Sequence, residues 1–134
     1  MKFISLIGIA LSFSLAAQPN LISVNEFQLE YEVAGLGKHT VLLEAGGGAS
    51  MSDWDTVFNR IAEHVTVIRY SRVGNGKSTV IKRHFTSNDY ADYASELLVN
   101  LNIKQPFIWW QHRKRLCNCL SKTNKSALIV RSVL

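Results

Sequence analysis

Three observations on the 134-residue chain predict an α/β fold with a mostly parallel sheet. Val41-Leu42-Leu43 and Val65-Thr66-Val67-Ile68 are largely apolar runs without strict alternation, the pattern of strands covered on both faces. Between them, Trp54, Val57, Phe58, Ile61 and Ala62 fall at helical spacing and form one apolar stripe. After the second strand a further helical pattern leads to Pro106-Phe107-Ile108-Trp109, the start of a third strand. Strand, helix and strand of these lengths argue for right-handed parallel crossovers. A hydrophobic content of 47% with 19% charged residues excludes disorder of the whole chain, and the length allows one domain or part of one.

Taken in order, Met1-Lys2, the apolar run Phe3–Leu15 and Ala16-Ala17 read as a secretory signal peptide over residues 1–17. The run is shorter than the ~20 residues of a membrane span, so export to a periplasm or outside the cell is expected, without a stable membrane anchor. Residues 18–109 form a partial α/β domain. It begins with a hairpin, Leu21–Val24 and Phe27–Val33, turned at Asn25-Glu26. In its second strand Phe27, Leu29, Tyr31 and Val33 share one face, while Gln28, Glu30 and Glu32 are expected on a wet one. Gly35-Leu36-Gly37-Lys38 turns the chain into the strand Val41–Ala45, which opens into Gly46-Gly47-Gly48. Ser52 with Asp55 has the spacing of a helix-capping box. Val65–Tyr70 is the next strand. Ser87 is expected to cap a helix whose Tyr90, Tyr93, Ala94, Leu97, Leu98 and Leu101 share a face, and Asn102 to end it.

The net charge of +5 belongs to the last 25 residues. Arg113, Lys114, Arg115, Lys122, Lys125 and Arg131 lie there without any acidic residue, whereas the rest carries nine basic and ten acidic residues, net −1. A nucleic-acid partner is therefore not expected, despite Trp109 and Trp110 beside the basic cluster; residues 110–134 read as a solvated, disordered basic tail. Cys117 and Cys119 flank one residue and lack the spacing of a zinc site, and the body of the chain has no cysteine for a disulfide. No cofactor or metal is implied. His39, His64 and His84 fall at loop or helix-end positions and read as surface histidines.

Two glycine-bearing stretches carry the chemistry. At Gly46-Gly47-Gly48 no Cβ keeps a ligand from the backbone, so the N–H groups suit a developing oxyanion. Glu44 reads as a structural residue beside this loop and Trp54 and Phe58 as core. Ser71-Arg72-Val73-Gly74-Asn75-Gly76-Lys77-Ser78 follows a strand. Its end matches a P-loop, but Ser71 stands where the first glycine of that motif belongs and no helix starts after Ser78, so a glycine turn suffices.

From Leu21 to Trp109 the layout resembles the first half of an α/β-hydrolase. In that family a glycine-rich loop after the third strand, often HGGG-like, supplies one oxyanion donor. Here the glycines match and the histidine does not, since Glu44-Ala45 precedes them. The turn with Arg72, Gly74, Gly76 and Ser78 resembles the family's D-R-x-G-x-G-x-S, with Ser71 in place of the aspartate. The resemblance implies an N-terminal portion of an α/β-hydrolase fold. Its intact parent would use a serine nucleophile on an ester, amide or similar bond of a small molecule.

The family's nucleophile elbow, G-x-S-x-G, belongs directly after Pro106–Trp109. Trp110-Gln111-His112-Arg113-Lys114-Arg115 stands there instead, without glycine or serine. Tryptophan has a single codon, so Trp109-Trp110-Gln111-His112 is encoded TGG TGG CAR CAY. Read one base later, this gives Gly, Gly, Ser or Asn, then Ile or Thr, with Gly available next. An elbow is thus open to the adjacent frame at the required place, its serine at the codon of Gln111. Shifted likewise, Cys117-Asn118-Cys119 becomes apolar, as the helix behind an elbow requires. A frameshift near Trp109 is the expectation, leaving residues 110–134 out of frame and the chain without a nucleophile, catalytic acid or histidine, hence inactive. The alternative is an exported non-enzymatic binding or interaction protein with a genuine basic tail.

Overall fold

The computed structural model describes residues 19–110 and 128–131. The expected signal peptide and the stretch following Trp110, up to residue 127, lie outside the described residues. The strands are β1 (Asn20–Val24), β2 (Phe27–Ala34), β3 (Thr40–Glu44), β4 (Thr66–Tyr70), β5 (Phe107–Trp110) and β6 (Leu128–Arg131), with helices α1 (Asp55–Ala62) and α2 (Ser87–Asn100). The sheet runs in the order β1-β2-β4-β3-β5-β6. The hairpin β1–β2 joins it antiparallel through β4, and β4, β3, β5 and β6 are mutually parallel.

The α/β class, the hairpin and the parallel pairing of β3 with β4 and β5 are therefore as the sequence implies. Adjacent residues of β3 serve opposite faces. Leu42 packs with Leu29, Ile68, Tyr70 and the α2 residues Ala94, Leu97 and Leu98, while Leu43 packs with Val67 and with Trp54 and Phe58 at and within α1. A helix on each face leaves the middle of β3 no access to water, which is why its sequence shows no alternation. Asn25 and Asn102 adopt left-handed conformations, φ 52° and 57°, and close the hairpin and α2 respectively.

Four local expectations are corrected. Glu30 and Glu32 are buried, at 6% exposure each, because the turn after β4 folds over one and Arg69 pairs with the other at 2.5 Å. Period two gives the face of a residue, not whether a loop covers that face. Ser52 does not cap α1: Ser50 caps a 3-10 turn, Met51–Trp54, and α1 follows at Asp55. Thr86, not Ser87, caps α2; its hydroxyl accepts from the Asp89 N–H at 3.2 Å, and its own N–H donates to the Asp89 carboxylate at 2.6 Å. Finally, the tail is not wholly disordered. Leu128–Arg131 pairs parallel with β5, with Ile108 opposite Ile129, since an open strand edge offers unpaired N–H and C=O groups to a β-prone segment.

The cap assignment is directly testable. Thr86→Ala should lower stability by about 1 kcal/mol in urea unfolding, and Ser87→Ala should change it by no more than a few tenths.

Candidate functional site

Parallel pairing aligns three strand ends. Glu44 of β3 lies opposite Tyr70 of β4 and opposite Trp110 of β5, so the chain leaves all three strands at one edge of the sheet. The segment that leaves β3 is the glycine loop, and the one that leaves β4 is the Ser71–Ser78 turn.

In the loop, the Ala49 N–H donates to the Gly46 carbonyl at 3.2 Å, so the chain reverses around Gly47 and Gly48. Both of these are exposed. Gly48 has φ +81°, which L side chains rarely adopt, and a Cβ built on either residue would meet nothing within 4 Å. Conformation rather than crowding thus selects glycine at position 48. The open space belongs to a cavity of about 260 Å³ lined by Gly47, Gly48, Arg72, Asn75, Phe85 and Tyr90, among others. Gly47 and Gly48 thus share this cavity with Arg72, while Gly46 does not line it.

Arg72, which lines this cavity, belongs to a buried cluster with Glu44 and Tyr70. The Glu44 carboxylate is fully buried and accepts hydrogen bonds from the Tyr70 hydroxyl and from Nε of Arg72. The Arg72 guanidinium also sits over the Tyr90 ring, 5.0 Å from its centroid. Burial pushes the Glu44 pKa above the ordinary carboxylate range, against the opposing pull of Arg72 and Tyr70. Burial, followed by the Glu44 charge, raises Tyr70 well above its usual value. Burial disfavours the Arg72 cation, yet the neighbouring Glu44 and Tyr70 outweigh that and hold its pKa above normal. Sequence reasoning left Glu44 beside the loop without partners; a lone carboxylate ending the apolar run Val41–Ala45 was the available signal.

The remaining motif residues hold the turn. Ser78 donates to the Ser71 carbonyl at 2.6 Å and accepts from the Glu30 N–H at 2.9 Å. Gly74 donates to the Thr79 carbonyl, Asn75 to that of Arg72, and Lys77 to the Glu30 carboxylate. With these N–H groups already engaged within the protein, the turn is not a phosphate cradle. Gly76, at φ +54°, is required by space as well, since a Cβ there would lie 2.3 Å from Glu30 Oε2. His39, His64 and His84 are exposed, and none of them lines this cavity.

No family model matches the chain. It is 36% identical over 67 residues to RutD of Yersinia enterocolitica, a protein named as a carbamate hydrolase; the match covers 49% of this chain and 24% of that protein. Among solved structures, a protein of Nostoc sp. PCC 7120 assigned to the α/β hydrolases matches with TM-score 0.78 at 17% identity, over 87% of this chain and 42% of its own. A loop variant of a haloalkane dehalogenase from Bradyrhizobium elkanii matches at 0.76 and 19% identity, over 85% and 39%. A Pseudomonas aeruginosa protein assigned as an epoxide hydrolase matches at 0.76 and 18%, over 90% and 43%. The chain thus spans about a quarter of the curated relative and about two fifths of the solved structures.

The elevated Glu44 pKa has a definite sign in stability. The folded state takes up this proton more readily than the unfolded chain, so the associated stabilisation is complete below the ordinary value of 4.5 and is lost as pH rises through the elevated folded value. Relative to Glu44→Gln, the unsubstituted chain should therefore gain stability as pH falls from neutrality toward 4.5, read from urea midpoints of the two proteins. A pH-independent difference would contradict the assignment.

Proposed function

With the N-terminal portion of an α/β-hydrolase fold as the premise, we propose that this chain is the oxyanion-loop part of an exported serine hydrolase whose nucleophile segment has been lost to a frameshift near Trp109. One observation carries the reading. Trp110 lies opposite Glu44, so the chain leaving β5 emerges beside the glycine loop, where a nucleophile elbow must deliver its serine. In the intact parent, an N–H of Gly47 or Gly48 donates to the oxyanion that forms as the serine Oγ attacks a carbonyl. A histidine takes the hydroxyl proton and an acid orients that histidine. One such donor contributes about 3 kcal/mol of transition-state stabilisation in a working site. Without a nucleophile it has nothing to act on, and Trp110–Arg115 offers none. Esters, amides or similar bonds of small molecules are the substrate class. The hydrolase names among the relatives support this at the level of reaction type.

A second reading has one observation in its favour. Leu128–Arg131 joins the sheet in register with β5, as a genuine terminal segment would. The chain would then be an exported non-enzymatic binding or interaction protein. A soluble, monodisperse and cooperatively melting 134-residue product would support it, and inclusion bodies would support the fragment.

The catalytic reading is tested with p-nitrophenyl esters. The chain as written should show no turnover above background. A gene continued in the adjacent frame from the Trp109 codon should encode a protein that hydrolyses them, and replacing the serine at the codon of Gln111 by alanine should abolish that activity. Turnover by the unmodified chain that depends on one of its own residues would overturn the proposal.

A further inference from the structure

The glycine loop re-enters the fold at Met51, and its backbone there is held by groups that touch no part of the cavity. The Met51 N–H donates to Ser71 Oγ at 3.0 Å. The Ser71 hydroxyl donates in turn to Glu30 Oε2 at 2.9 Å, and the Lys77 N–H donates to the same oxygen at 2.9 Å. The Met51 carbonyl accepts from the Arg69 guanidinium at 3.4 Å. Ser71 is wholly buried, Glu30 and Met51 nearly so.

We propose that Ser71 and Glu30 are positioning residues for the glycine loop, a buried relay that fixes the loop's exit to strand β2. The proposal rests on the reading of Gly47 and Gly48 as oxyanion donors and adds what holds them in place. The residue types follow from the geometry. Position 71 must accept one hydrogen bond and donate another, which a hydroxyl does with a single oxygen. Alanine does neither. Aspartate accepts only, and it sets a second negative charge against Glu30. A carboxylate at position 30 suits the two convergent donors, and glycine at position 76 leaves it room. A Cβ there would also lie 2.5 Å from Ser71 Oγ. Positions 30, 71 and 76 are therefore interdependent, although Glu30 lies on β2 and the other two in the turn after β4.

The relay sits on the α1 side of the sheet, opposite the Glu44 cluster, and its hydrogen bond to the chain leaving the loop is made at Met51. That makes the effect separable from both folding and chemistry. Hydrogen–deuterium exchange of the full chain reads it directly. In Ser71→Ala, amides within residues 46–54 and 74–78 should exchange about tenfold faster or more, the loss expected for a hydrogen bond to a charged group, while α2 stays as protected as before. Glu30→Gln keeps an acceptor oxygen and should produce a smaller change in the same two segments, which keeps the test open if Ser71→Ala loses its fold. Ser78→Ala, which removes one of the turn's ties to β2 without touching Met51, should loosen 74–79 and leave 46–54 protected. Unchanged exchange at 46–54 in Ser71→Ala, or an equal rise throughout α2, would overturn the relay. Because exchange is measured without any reaction, that result would leave the hydrolase reading standing.

Discussion

The structure depends on the burial of a carboxylate at the end of β3. Taking Glu44 out of water costs several kcal/mol unless donors surround it, and the available donors come from the neighbouring strand and its turn, Tyr70 and Arg72. Satisfying Glu44 therefore determines how the segment leaving β4 lies against the segment leaving β3. The cation that meets this requirement also lines the cavity beside Gly47 and Gly48. One electrostatic constraint thus aligns two loops and leaves a glycine backbone facing open space.

A second constraint acts from the other face of the sheet. Glu30, Ser71 and Gly76 fit together only as a set, and they tie the turn to β2 while Ser71 also takes the Met51 N–H. The glycine loop is consequently fixed at both ends: at its start by strand β3 and Glu44, at its exit by Met51. Gly47 and Gly48 between these anchors stay exposed, Gly48 in a left-handed conformation. An oxyanion donor needs this combination of rigid ends and an unobstructed N–H.

Much of this was legible in the sequence where hydrophobic pattern decides the outcome. The unalternating runs of β3 and β4 announced strands covered on both faces, and the Trp54–Ala62 stripe announced the crossover helix between them. The glycine loop and the Arg72–Ser78 turn were visible because few residue types tolerate their backbone. What escaped was set by tertiary contact. Glu30 and Glu32 alternate like a wet face, yet a loop and Arg69 cover them. Thr86 and Ser87 offer equivalent hydroxyls, and only the Asp89 spacing that the backbone realises selects Thr86. β6 falls in a stretch whose basic composition suggested solvent, and pairing with the β5 edge recruits it.

Among the places where the sequence departs from the α/β-hydrolase pattern, the exit of β5 next to the glycine loop is the one where the nucleophile elbow belongs. On the frameshift proposal, a different reading frame supplies the elbow there. Sequencing the coding DNA from the Pro106 codon to well beyond the stop tests it most directly. The frame one base later should continue for about a hundred further codons in an α/β pattern, with a G-x-S-x-G elbow at once and an Asp or Glu and a His downstream. Early closure of that frame would contradict it and make residues 110–134 a genuine part of the protein.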